Sequence, residues 1–217
     1  MVLSEQEIIR RQSKEELEKQ GINPYPAELF DINVSSKEIL ENFDPEKKNY
    51  QQVSLAGRMM SRRIMGSAAF AELQDQTGRS QLYLRGDDLC PGEDKTLYNT
   101  VFKKHIDIGD IIGVKGFCFK TQTGEISVHV TGMTVLAKSL RPLPVVKETV
   151  DAEGNTVRHD AFTDHEHRYR QRYVDLIVNP QVRDTFVKRT TLVNSMREDL
   201  NAKGYLEVET PVLQALD

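Results

Sequence analysis

The stretch VSLAGRMMSRRIMGSAAFAELQDQTGRSQLYLR, Val53 to Arg85, decides the fold. Its apolar residues come in short runs of Val, Leu, Ile, Met, Phe and Tyr, and the runs break at Gly66 and Gly78. That is the texture of consecutive strands joined by tight turns. It predicts strands over Val53 to Met65, Ala68 to Asp75 and Ser80 to Arg85. Two later runs, Ile111 to Lys120 and Glu125 to Leu136, have the same character and bring the strands to five. Gln76-Thr77-Gly78-Arg79 and Thr121-Gln122-Thr123-Gly124 each offer a glycine where a hairpin needs positive φ. The second strand is therefore expected to pair antiparallel with the third, and the fourth with the fifth.

Between the third and fourth strands, Lys95 to His105 carries Leu97, Val101 and Phe102 at helical spacing. Five strands interrupted there by a helix is the order of the OB-fold barrel. Upstream, Ser4-Glu5-Gln6-Glu7 reads as a capping box that opens a helix to about Gln20, with Gly21 as its stop. Asn23-Pro24-Tyr25-Pro26 forces an extended connector, and Ser35-Ser36-Lys37-Glu38 opens a short helix through Ile39, Leu40 and Phe43. Both helices are expected to pack on the barrel.

Downstream, Arg141-Pro142-Leu143-Pro144 is a stiff connector, and Lys147 to Thr163 is a polar excursion expected as a surface hairpin or flexible insert. Asn179-Pro180 is an N-cap followed by proline at the first helical position. Val182, Phe186, Val193, Met196 and Leu200 then mark one face of a long helix that Gly204 ends, before a short β-run from Tyr205 to Thr210 and Pro211. The expected division is 1–48 for the N-terminal helices, 49–140 for the barrel, 141–163 for the linker and insert, and 164–217 for the start of a second domain.

Composition limits the function. The 217 residues, 38% hydrophobic and 29% charged, leave room for one domain and a partial second, and exclude a disordered or collagen-like chain. No run approaches the ~20 apolar residues of a membrane helix. The charged N-terminus lacks an apolar signal core, so a cytoplasmic location is expected. Cys90 and Cys118 have no CxxC partner, and none of the five histidines has a ligand set at a known spacing, so neither a disulfide framework nor a metal site is expected.

The net charge of −4 argues against indiscriminate nucleic-acid binding. Residues 51–86 nonetheless hold Arg58, Arg62, Arg63, Arg79 and Arg85 against only Glu72 and Asp75. OB barrels bind single strands on this part of the sheet, with aromatics to stack bases and cations to hold phosphates. Arg58, Arg62 and Arg79 are candidate phosphate contacts. Strand alternation sets Phe70 on one face with Ala68, Glu72 and Gln74, and Ala69, Ala71 and Leu73 on the other. Phe70 is thus either a core aromatic or a stacking platform. Arg62 and Arg63 point to opposite faces, so at most one reaches a given ligand. The amide of Gln81 could read the edge of an unstacked base.

The run Ala56-Gly57-Arg58-Met59-Met60-Ser61-Arg62-Arg63-Ile64-Met65-Gly66, with Phe70-Ala71-Glu72-Leu73-Gln74-Asp75 and Gln81-Leu82-Tyr83, closely resembles the anticodon-binding domain of class II lysyl-tRNA synthetases. Phe102-Lys103-Lys104, Phe119-Lys120-Thr121, Leu140-Arg141-Pro142-Leu143-Pro144 and Arg168 through Leu176 extend the resemblance over nearly the whole chain. The resemblance implies a lysine tRNA as partner, with Phe70 stacked on the central anticodon uridine, Gln81 and Arg63 bonding its edge and flank, and Glu125 meeting the neighbouring uridine. Gly204 to Pro211 resembles motif 1, which implies a homodimer in the complete enzyme.

Motifs 2 and 3, with the ATP, Mg and lysine sites, would lie beyond Asp217. The expected fold is therefore mainly β with helices: N-terminal helices, a five-stranded OB-fold barrel, and the truncated start of a class II synthetase α+β catalytic domain. Such a chain would bind tRNA, carry no cofactor and be inactive in aminoacylation. Two other readings remain: a free-standing OB-fold RNA-binding or regulatory protein, and a fragment of an aspartyl or asparaginyl synthetase. The latter share the Phe–Gln pair, but Met59 through Gly66 and Arg141 through Pro144 favour lysine.

Overall fold

The alternating run from Val53 forms strand β1 (Val53–Met65), which buries Val53, Leu55 and Met59. Its neighbours Met59 and Met60 are both buried because the register slips between Met59 and Ser61, a bulge that turns the strand. β2 (Ala68–Gln74), β3 (Arg79–Arg85), β4 (Ile111–Lys120) and β5 (Ile126–Ala137) follow, within two residues of the expected bounds. The order β1-β2-β3-β5-β4 closes on itself where β4 pairs back onto β1, making the barrel. Every pairing is antiparallel except β3 with β5, where Gln81 to Leu84 lie parallel to Ser127 to Val130.

A computed structural model describes residues 3–144, 147–150, 156–159 and 162–211. The chain divides into two compact units, Met1–Leu143 and Pro144–Asp217. In the first, Leu55, Leu73, Leu82, Leu84, Ile112, Val114, Val128 and Val130 are fully buried in one cluster. Burial of each such side chain contributes roughly 1.5–3 kcal/mol.

The β2–β3 turn departs from expectation. Gly78 is not among the glycines of positive φ. A carboxylate closes the turn instead: Asp75 Oδ1 accepts the Thr77 and Gly78 amides at 2.6 and 2.8 Å and the Thr77 hydroxyl at 2.8 Å. Its Oδ2 accepts the Ser36 amide at 2.6 Å, at the start of helix α2 (Ser36–Asn42). In the β4–β5 turn, by contrast, Gly124 has φ +90° as expected.

Helix α1 (Glu5–Lys19) opens with the full capping box of Ser4 and Glu7. It ends in a Schellman motif: Gly21 has φ +76°, its amide donates to Glu18 O, and that of Ile22 donates to Leu17 O. α1 buries Leu17, and α2 buries Ile39, in the barrel's own cluster. Arg10 ties α1 down further by donating to Ser139 O at 3.1 Å and Ile108 O at 2.9 Å.

Between β3 and β4 lie a one-turn helix α3 (Gly86–Leu89), which the sequence reading missed, and the expected helix, wound as a π-helix over Leu97–His105. The Ile106 amide donates to Val101 O, an i→i+5 bond. Tyr98, Val101 and Phe102 are buried in the core. Just after this helix, Asp107 and the fully buried Asp110 accept from Lys138 Nζ at 2.5 and 2.8 Å. Burial pushes the Asp110 carboxyl above its ordinary range, against the pull of Lys138.

The second unit holds the hairpin β6 (Lys147–Val150) and β7 (Thr156–His159), then α4 (His165–Arg170), α5 (Arg172–Val178) and α6 (Pro180–Ala202). Buried Asp175 organises its helices, accepting from Arg168 at 3.0 Å, Asn179 at 2.7 Å, and Arg172. Burial alone would raise this carboxyl, but the hydrogen bonds from Asn179 and Arg168 outweigh it and hold the group below its ordinary range. The Asn179 side chain is therefore spent on Asp175 and Phe162 O and does not cap α6, although Pro180 occupies the first turn as expected. The β-run expected from Tyr205 to Thr210 is absent: these residues form no helix or strand and are exposed, with no strand partner among the described residues.

Asp75 yields a test. Burial opposes its charge, but the amide and hydroxyl donors outweigh burial and lower its pKa below the ordinary 3.8. A depressed carboxylate stabilises the fold above its unfolded pKa and loses that contribution as the pH falls through the folded one. Asp75→Ala is expected to cost about 1–2 kcal/mol in urea denaturation at neutral pH. The difference from the parent chain should shrink as the pH falls below 3.8 and through the lowered pKa of the folded state.

Candidate nucleic-acid interface

Two rows of side chains cross the barrel in strict register. One runs Arg63, Phe70, Tyr83, His129, Phe117 over β1, β2, β3, β5 and β4. The next runs Ser61, Glu72, Gln81, Ser127, Phe119. Cross-strand partners share a face, so each row forms a continuous strip. β2 shows the alternation clearly: Ala69, Ala71 and Leu73 are buried, while Phe70, Glu72 and Gln74 are half-exposed. Phe70 is thus not a core aromatic.

The rings in the first row brace one another. Phe70 lies 5.2 Å from Tyr83 between centroids, tilted at 51°. Tyr83 meets His129 edge-on at 5.2 Å and Phe119 at 5.8 Å, and Phe117 stacks on His129 at 4.7 Å. His129 Nε2 is in turn 2.9 Å from Asp88 Oδ2, tying α3 to the strip. Such contacts add stability beyond area alone and fix the plane of Phe70.

A cleft of about 920 Å³ opens over these rows, lined by Arg63, Phe70, Glu72, Arg79, Gln81, Tyr83, Phe119 and the β4–β5 turn through Glu125. That turn is held by the Glu125 amide donating to the Thr121 hydroxyl at 3.0 Å and by the Thr121 amide donating to Glu125 O at 2.9 Å. Arg63 and Glu125 are exposed, and Gln81 is half-exposed with its Oε1 accepting from the Ser127 hydroxyl at 2.6 Å. At the rim, Arg79 donates to Gln74 at 2.9 Å and Glu72 at 3.2 Å, exposed contacts of little energetic weight. The cleft therefore offers aromatic rings, guanidinium and amide donors, and a carboxylate acceptor.

Arg63, Phe70, Gln81, Glu125 and Arg79 thus meet in one place. Arg58 and Arg62 do not line the cleft. Arg58 Nη1 donates to Gly109 O at 2.6 Å, and Arg62 Nη1 donates to Phe102 O and Ile106 O, both at 2.5 Å. Burial lowers the pKa of both guanidinium groups, with Asp110 opposing it at each and Asp107 also at Arg62. Both guanidinium groups satisfy carbonyls at the end of the π-helix and in the loop before β4. Tyr83 and Phe119 were missed, although the alternation of β3 sets Tyr83 on the same face as Gln81. In the second unit, Gly204 has φ +83° and closes α6 in a Schellman motif, with Tyr205 N donating to Leu200 O; Pro211 is exposed.

Residues 53–136 match the family model described as an OB-fold nucleic acid binding domain, and residues 164–217 match that of class II tRNA synthetases (D, K and N). A lysine–tRNA ligase of Porphyromonas gingivalis is 60% identical over 215 residues, 99% of this chain and 36% of that protein. Those of Azobacteroides pseudotrichonymphae and Christiangramia forsetii are each 56% identical over 214 residues, again 99% of this chain, and 42% and 36% of their own lengths. Over 99% of its length the chain is thus similar to class II lysyl-tRNA synthetases. It spans 36–42% of the length of these curated relatives.

The placement of Arg62 separates structure from binding. Arg62→Ala leaves two carbonyls without their charged donor and is expected to cost about 1.5–3 kcal/mol in urea denaturation. Affinity of the folded variant for hairpin RNA should equal that of the parent.

Proposed function

We propose that this chain is the anticodon-reading part of a lysine–tRNA ligase, and that its cleft takes the unstacked uridines of a lysine anticodon. The observation that carries this reading is the convergence of Arg63, Phe70, Gln81 and Glu125 on one cleft from β1, β2, β3 and the β4–β5 turn. Phe70, braced from one side by Tyr83, turns a ring face to the cleft on which the central uridine stacks. Stacking holds any base, at roughly 1–3 kcal/mol, so the choice of base falls to the polar groups. The uracil edge carries two carbonyl acceptors and one N–H donor. Gln81 and Arg63 donate to the carbonyls, and the Glu125 carboxylate accepts from an N–H of the neighbouring uridine. Arg79 at the rim meets backbone phosphate.

In the whole protein this reading would serve the ATP-dependent attachment of lysine to its tRNA. ATP and Mg would supply the activation of lysine there. We assign them to none of the described residues. The segment from Gly204 to Pro211 would contribute to a homodimer interface. Among the described residues no helix is long and apolar enough to cross a membrane.

Phe70→Ala is expected to weaken binding of a hairpin with a U-U-U anticodon by about 5- to 150-fold, read by fluorescence anisotropy. An unchanged titration would remove Phe70 from the site. Arg79→Ala should weaken binding to U-U-U and unrelated loops alike, and should lower the slope of log affinity against log salt by about 0.7.

A further inference from the structure

Gln81 is flanked in register by Glu72 on β2 and Ser127 on β5. Its side-chain amide has two ends of opposite character, and whichever end faces the cleft decides what the cleft accepts. An outward –NH2 donates to the O4 carbonyl of uracil. An outward carbonyl would instead accept from the exocyclic amine of cytosine. Shape does not separate these orientations, since oxygen and –NH2 are of nearly equal size. A neighbouring group must.

That neighbour is Ser127. Its hydroxyl lies 2.6 Å from Gln81 Oε1, and the residue is only 1% exposed. A serine hydroxyl has one proton to donate, and Gln81 Oε1 is the acceptor it meets among the described hydrogen bonds. Flipping the amide would make Ser127 accept from –NH2 and leave its own proton buried without a partner, a costly state. We propose that Ser127 is a positioning residue for base choice: it holds the Gln81 carbonyl against the barrel so that the amide turns its donors to the cleft and favours uracil over cytosine. The parallel β3–β5 pairing makes this possible by setting the two residues side by side. The inference rests on the anticodon reading of the cleft.

The test uses the full 217-residue chain and short RNA hairpins with U-U-U or U-C-U at the three anticodon positions. Parent, Ser127→Ala, Gln81→Ala, their double variant, Gln81→Glu and Phe70→Ala are titrated by fluorescence anisotropy, with thermal melts confirming that each is folded. Ser127→Ala is expected to cut the preference for U-U-U by about fivefold, the loss of one oriented hydrogen bond. On the Gln81→Ala background the same change should have no further effect, because Ser127 acts through Gln81. Gln81→Glu keeps an acceptor for Ser127 and turns a second acceptor outward, so its preference should move toward U-C-U.

A full preference for U-U-U in Ser127→Ala, an equal loss with and without Gln81, or an unmoved preference in Gln81→Glu would each overturn the proposal. If those results come while Phe70→Ala still loses affinity, the cleft reading stands and only the role of Ser127 falls. If Phe70→Ala binds as the parent does, both fall.

Discussion

The parallel pairing of β3 with β5 is the constraint on which the rest depends. Gln81 and Ser127 are 46 residues apart in sequence, and no tight turn brings them together. The loop-closure entropy of that pairing is offset by burial of Leu82 and Leu84 against the same cluster as Val128 and Val130. Once β5 lies beside β3, β4 is carried round to β1 and the sheet has no free edge. The pairing also aligns the two side-chain rows and brings the turn bearing Glu125 over the face of Phe70 and Gln81. Barrel closure and site assembly are one event.

Charge is distributed by the same geometry. Arg58, Arg62 and Lys138 are turned into the protein, where carbonyls and the Asp107–Asp110 pair accept their hydrogen bonds. Partial burial makes these charges costly, and removing a partner would leave the survivor unpaired. Arg63 and Arg79 stay at the surface, where a polyanion can reach them. The bulge between Met59 and Ser61 helps to separate the two sets, because it changes which residues of β1 face outward.

Much of the fold was legible because it is local. The five strands, the capping box at Ser4, the glycine stop at Gly21 and the face that Phe70 shares with Glu72 and Gln74 all follow from spacing within a few residues. What sequence reading missed is decided across distance. Gly78 was expected to supply a left-handed turn, but Asp75 closes that turn and reaches α2 as well. Arg58 and Arg62 counted toward a basic patch, yet their partners lie 40 to 51 residues away, and no charge count reveals that. Asn179 had the form of an N-cap, but Asp175 one turn earlier is buried and claims its amide. The strand expected after Gly204 has the right residues for one but no neighbouring strand among the described residues, and a single strand has no ladder to join.

The strip from Arg63 to Glu125 is the surface proposed to meet RNA. Backbone amide NMR of the chain, titrated with a hairpin carrying a U-U-U anticodon, tests it most directly. The account predicts shifts concentrated on Arg63, Phe70, Gln81, Tyr83 and the turn from Thr121 to Glu125, with Arg58, Arg62 and α6 unmoved. Shifts centred on another face of the barrel, or on α6, would contradict it.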